Sequence, residues 1–184
     1  MISPVSETIT LEDFLTLPYI EDSPPWEYSN GTVYQKPMPK LRHSIIQKRL
    51  LAEIDGHTQS FTALPELRCT FGNRSIVPDI VVISWERLSV NASGEIDDNF
   101  NQAPDWAIAI LSPDQNVSRV IENLIHCLQY GCQLAWLIDS DDSSVIVFTL
   151  DQMPLVCRSD AQLPVIAGVD LSLTPARIMT WLKK

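Results

Sequence analysis

Pro104-Asp105-Trp106-Ala107-Ile108-Ala109-Ile110-Leu111-Ser112-Pro113 and, further on, Leu134-Ala135-Trp136-Leu137-Ile138-Asp139 are two short, almost wholly apolar runs. The apolar part of each is too short for a helix of ordinary length and lacks alternation, so Trp106–Leu111 reads as a buried strand and Leu134–Ile138 as another. Ser112-Pro113 stops the first. Between them Val120, Ile121, Leu124, Ile125 and Leu128 fall on one helical face, from about Asn116 to Tyr130, and Gly131 is a natural terminator.

The same alternation of elements extends outward. Ile76-Val77-Pro78-Asp79-Ile80-Val81-Val82-Ile83 reads as another central strand, preceded by strand-like runs at Phe61–Leu64 and Leu67–Phe71. Leu41, Ile45, Ile46, Leu50 and Ile54, with Leu51 at the edge, mark a helix over about 41–57. Before it, Trp26-Glu27-Tyr28 and Thr32-Val33-Tyr34-Gln35 flank Asn30-Gly31, the strongest hairpin dipeptide. Thr10 caps a short opening helix that Pro18 ends. Ser89 to Ala103 is polar, acidic and without period, so it reads as a surface loop. Val145–Leu150 follows the acidic turn Asp139-Ser140-Asp141-Asp142 as a strand, and Thr174-Pro175 opens a last helix through Leu182. Helices interleaved with apolar strands predict an α/β or α+β fold with a mixed sheet.

The chain has 184 residues, a length that suits a single domain over 1–184 with a core of its own. A formal net charge of −10 excludes non-specific coating of nucleic acid or anionic membrane, so any polyanion contact must be local. No apolar run is long enough to span a membrane. Met1 to Glu7 lacks the basic start and apolar stretch of a signal peptide. The four cysteines, Cys69, Cys127, Cys132 and Cys157, show neither CxxC spacing nor scaffold density. These features predict a cytoplasmic protein with reduced thiols. A glycine-rich phosphate loop, a GxSxG elbow and an HExxH pair are all absent from the sequence.

Asp79 inside an apolar run must be paired, hydrogen-bonded or bound to metal. Glu66, like Asp79, directly follows a proline on a neighbouring run. Two carboxylates on adjacent strands can hold a hard divalent cation, which would stabilise charge on an attacked phosphate. The plainer alternative has Asp79 accepting backbone donors at a strand end and Glu66 solvated. His43 starts the long helix, where it suits either a phosphate-facing group or a surface cap. Between Tyr28 and Ala52 lie Lys36, Lys40, Arg42, Lys48 and Arg49 and no acidic residue. That stretch suits either a polyanion-facing edge or one solvated helix face.

Taken in order, Glu27 and Gly31, His43, Pro65-Glu66, Pro78-Asp79-Ile80-Val81-Val82, Pro104 to Pro113, Gly131 and Ala135-Trp136-Leu137-Ile138-Asp139 resemble the Uma-type restriction-endonuclease family. That family was formerly of unknown function and is abundant in cyanobacteria. The likeness covers about residues 10–150, with 151–184 as a C-terminal extension. It implies a PD-(D/E)xK nuclease-like core, a mixed β-sheet flanked by helices, and a Mg or Mn site for cleaving DNA. On that reading Asp79 and Glu66 hold the metal, His43 engages phosphate as a catalytic residue, Glu27 supports the site, and Lys40, Arg42 and Lys48 engage nucleic acid. A homodimer would serve two strands. The family's second carboxylate falls on Ala109, its lysine on Asn123, and its aromatic on Cys127. A methyl group binds no metal and a neutral amide supplies no charge. Two functions therefore follow: a metal-dependent DNA endonuclease with a degraded site, or an inactive nuclease-fold protein acting in binding or oligomeric assembly. Asp114 lies about 16 Å along an extended strand from position 109, too far to compensate unless the chain turns back.

Overall fold

The computed structural model describes residues 9–184, so the Met1 to Glu7 stretch judged for a signal peptide lies outside the described residues. A six-stranded sheet is ordered β10-β9-β8-β7-β6-β3, where β3 is Phe61–Pro65, β6 Ile80–Ser84, β7 Trp106–Ile110, β8 Leu134–Asp139, β9 Ser144–Phe148 and β10 Leu155–Arg158. Only β7 and β8 run parallel, and helix α3 (Val117–Gln129) makes the crossover between them. The sheet is therefore mixed, as the two opening stretches predict.

Alternation along the central strands sorts the core into two layers. Trp106, Ile108, Ile110, Leu134, Trp136 and Ile138 face helix α2 (Leu41–Asp55), which contributes Ile46, Leu50 and Ile54. Ala107, Ala109, Ala135 and Leu137 face α3, which contributes Val120, Leu124, Cys127 and Leu128. Small residues on that side let α3 lie close to the sheet. The extension after residue 150 is part of this core rather than an appendage. It adds β10 at the sheet edge, and Leu163, Ile166, Val169, Leu171 and Leu173 roof the α2 layer with Ile178 of helix α4 (Pro175–Thr180).

A second sheet, ordered β2-β1-β5-β4, comprises β1 (Trp26–Ser29), β2 (Thr32–Gln35), β4 (Cys69–Phe71) and β5 (Arg74–Ile76). Asn30 and Gly31 both take positive φ, the geometry of a tight hairpin turn. Thr10 accepts the Asp13 N–H at the start of helix α1 (Leu11–Leu15), whose Phe14 packs on Tyr28.

The structure corrects several expectations. Ile76–Ile83 is not one strand: β5 ends at Ile76, β6 begins at Ile80, and the two belong to different sheets. Pro78 lacks the N–H a continuing ladder needs, and the run is apolar but for Asp79 because both sheets bury it. Leu67–Phe71 shortens to β4, and Val145–Leu150 becomes β9. On α2, Leu41 is exposed and His43 takes its place on the buried side with Ile46, Leu50 and Ile54.

Gly72, at φ +55°, turns β4 into β5 directly beneath an aromatic stack of Phe71, His126 and Tyr130. A Cβ there would lie 2.3 Å from the Tyr130 ring and 2.7 Å from His126 Cε1. Gly72→Ala is expected to cost about 2–4 kcal/mol, from left-handed backbone strain plus displacement of the rings. Urea denaturation measures it, and a cost under about 0.5 kcal/mol would show that the stack yields freely.

Candidate functional site

The two sheets and α3 frame a partly open cavity of about 160 Å³, far more than the ~10–15 Å³ one water requires. Its wall includes Glu27 of β1, Tyr34 of β2, Lys36, Asp79, Ala109 of β7, and Arg119 and Asn123 of α3. Strand β7 points Ala109 into the wall by the same alternation that turns Ile108 and Ile110 toward α2. Ala109 is 6% exposed.

Asp79 sits on the three-residue link between the sheets, and both its carboxylate oxygens and its carbonyl are occupied. Oδ1 accepts from Lys36 Nζ at 2.7 Å and lies 3.3 Å from His43 Nε2. Oδ2 accepts the Ile110 N–H at 2.7 Å. The Asp79 carbonyl accepts from Gln47 Nε2 and from the Glu66 N–H. Burial opposes its charge, yet the Lys36 ammonium, the His43 contact and the Ile110 amide outweigh burial and hold the carboxyl well below the usual carboxylate range. Lys36, its side chain 9% exposed, also donates to the Val77 carbonyl at 2.7 Å. Burial opposes the ammonium too, but Asp79 and Glu27 raise its pKa above the ordinary lysine value. Both members of the pair are therefore charged.

Glu27 accepts the Val77 N–H on Oε1 at 2.7 Å and Asn123 Nδ2 on Oε2 at 3.2 Å. Asn123 Nδ2 also reaches the Tyr34 hydroxyl at 3.1 Å. Burial raises the Glu27 pKa, against the lowering pull of Lys36 and the Val77 amide. The folded state thus favours protonated Glu27, and stability falls as pH rises from the ordinary glutamate value through the raised one. Glu27→Gln, which keeps an acceptor for Val77, is expected to flatten that part of the curve. Urea midpoints between pH 4 and 8 measure it, and equal slopes in both proteins would rule the effect out.

Of the residues singled out by sequence, Asp79 and Glu27 line the cavity, and His43 backs Asp79 from behind. His43 is buried rather than a surface cap, and its Nδ1 has no partner among the described residues. Glu66 is exposed at φ +48°, where the chain turns out of β3, and its side chain does not line the cavity. Lys40 pairs with Asp114 at 2.8 Å and Arg42 with Asp141 at 2.8 Å, both on the surface, while Lys48 is exposed. Asp114 does reach the cavity wall: the chain turns back after Ser112, whose N–H bonds Gln115 Oε1, so the extended-strand distance does not apply. Sequence reading missed Lys36 as a site residue. Its signal was present but weak: a lysine fixed in extended backbone by Pro37, just past a hairpin.

A divalent ion needs several oxygens not already filled by protein donors. Asp79 Oδ1 faces two nitrogen donors, every other carboxylate oxygen of the Asp79–Glu27 pair accepts one, and position 109 offers a methyl. Among the described residues no group of three or more His, Cys, Asp and Glu is arranged to hold a metal ion. The residues as placed do not fit a divalent ion. They fit an internally neutralised, partly polar cavity with an ammonium in its wall.

The Uma2 family, described as "Putative restriction endonuclease", matches residues 11–176. No curated protein matches the chain. Among solved structures, a crystal structure of "a putative nuclease belonging to DUF820" from Anabaena variabilis is similar, with 43% identity and a TM-score of 0.91. The likeness covers 95% of this chain and 99% of that one. Among the described residues no helix is long and apolar enough to cross a membrane.

Proposed function

Because the chain belongs to the Uma2 family of restriction-endonuclease-like proteins, we propose that it binds DNA along the phosphate backbone and presents a phosphodiester to the Asp79 cavity. Its own cleavage rate is at least ~10² below that of a complete site, the usual loss for one electrostatic stabiliser. The observation that carries this reading is Ala109, a methyl in the cavity wall beside the residue whose amide binds Asp79; the family resemblance sets a second carboxylate at that position. Restriction-endonuclease-like proteins generally use divalent metals. Mg or Mn is the ion proposed for a version of this chain with that carboxylate restored.

The roles of the residues follow from what they touch. Asp79 and Lys36 fix the charge pattern of the wall, His43 holds Asp79 in place, and Glu27 ties the small sheet to α3 through Asn123. Glu66, outside the cavity, contributes to the field around Lys36. Lys40 stands at the cavity mouth through its pair with Asp114. Lys40 and Arg42 hold surface pairs worth about 0–1 kcal/mol each, so a phosphate can take the place of Asp114 or Asp141 at little cost. Exposed Lys48 lies further along the same helix. Two copies, one per strand, form the assembly that double-strand cleavage calls for.

Duplex binding measured by fluorescence anisotropy at 50–200 mM salt tests this. Affinity is expected to fall steeply with salt, and Lys40→Ala and Arg42→Ala each to lower the log–log slope by about one. Binding insensitive to salt, or none at 50 mM, would overturn the reading.

A further inference from the structure

Lys36 is hard to explain as ordinary structure. It lies between β2 and Pro37, 43 residues from Asp79 in sequence, and its ammonium enters a nearly sealed wall to meet Asp79 Oδ1 and the Val77 carbonyl, each at 2.7 Å. It is the strongest nearby positive charge on both Asp79 and Glu27. Its position is that of a cation shared by the site's carboxylates. An ammonium has three donors, and the protein uses two of them. The third belongs to a group that lines the cavity, where a ligand oxygen can meet it.

We propose that Lys36 is a built-in cation that occupies the place of the family's divalent ion, making this cavity a metal-free site whose ammonium contacts the anionic oxygen of a phosphodiester directly. Three features of the chain agree with this. The carboxylate a metal would need is absent at Ala109. Asn123 spends its amide on Glu27 and Tyr34, adding no second positive charge. The Lys36 ammonium already stands 2.7 Å from Asp79 Oδ1, so a divalent ion approaching that oxygen would meet a like charge at about the distance of a hydrogen bond. The ligand half of the proposal rests on the DNA-backbone reading above; the cation half rests on the Lys36 contacts and on the family pattern that sets a carboxylate at position 109.

Manganese binding to the full chain without DNA tests the cation half, so its failure is distinct from failure of the DNA reading. Wild type and Asp79→Asn are expected to bind Mn²⁺ alike, weakly, by titration calorimetry and by paramagnetic resonance of free Mn²⁺. Lys36→Met is expected to bind at least tenfold tighter than wild type, with a melting temperature that climbs on adding Mn²⁺, and Lys36→Met/Asp79→Asn to lose that gain. A Lys36→Met chain that folds only when Mn²⁺ is present supports the proposal equally. An Asp79-dependent Mn²⁺ site in wild type overturns it, as does a folded Lys36→Met that gains nothing. If Lys36→Met folds under neither condition, the wild-type comparison decides: equal binding by wild type and Asp79→Asn supports the proposal, and unequal binding overturns it.

Discussion

Plasmid nicking by Ala109→Glu/Asn123→Lys in Mg²⁺ or Mn²⁺ is expected to exceed that of wild type by at least ~10², and by more if the two changes reinforce each other. Residue 109 already lines the cavity, so a glutamate there would bring its carboxylate to the same wall as Asp79. It would also give the Lys36 ammonium a second partner, freeing one face of Asp79 for a metal. A lysine at 123 would stand where Asn123 now meets Glu27 Oε2 and would lower the Glu27 pKa that burial raises. The cost is crowding: α3 lies close over Ala107, Ala109 and Ala135, so the double variant is expected to be less stable than wild type. Asp79→Ala in the restored background should abolish the gain. Wild-type nicking as fast as that of the double variant, and equally sensitive to Asp79→Ala, would mean that the native site is complete.

Lys36→Met is expected to destabilise the protein by about 3–5 kcal/mol at neutral pH, the usual cost of leaving one half of a buried ion pair without its partner. For a chain this long that is a melting temperature lower by roughly 6–20 °C. The pH dependence has a definite sign. Asp79's pKa is depressed in the fold, so its share of stability is present above the ordinary carboxylate value and is lost as pH falls through the depressed one. Lys36's pKa is raised, so its share is complete below the ordinary lysine value and is lost only as pH climbs through the raised one. The pair therefore contributes fully from about pH 4 to pH 10. In Lys36→Met the orphaned carboxylate protonates more readily, so the difference from wild type should shrink in acid. A loss below 1 kcal/mol across that range would show that solvent reaches Asp79 and screens it.

Local chemistry reports local structure well in this chain. The β7, α3 and β8 elements are legible because a fully buried strand and a one-sided helix leave different apolar periods. The Asn30-Gly31 hairpin and the Thr10 and Thr174 caps are legible because each depends on residues within a few positions. The break at Pro78 is not, since a run that passes from one buried sheet into another keeps the composition of a single strand. His43 could have been placed: it stands three and seven residues before Ile46 and Leu50, one buried stripe of α2. Its polarity argued for the surface. Ala109 and Asn123 were located by likeness to a family pattern, and both do line the cavity. Lys36 joined a basic stretch in the sequence and an acidic pair in space. Nothing within ten residues of it announces Asp79. Glu66 misled in the opposite way, because it shares the Pro-carboxylate spelling of Asp79 but lies on a turn that carries its side chain outward.

The Val77-Pro78-Asp79 link is a seam. One side of it is sewn to the small sheet and the other to the large one, for the Val77 N–H binds Glu27 of β1 and the Asp79 carboxylate binds the Ile110 N–H of β7. The sheets cannot separate or slide without drawing on one of those two stitches, and each stitch ends on a carboxylate of the cavity. Strain between the sheets and distortion of the site are consequently a single motion. A substitution far out on the hairpin, if it tilts β1, therefore reaches Asp79 through three residues of chain rather than through the bulk of the core.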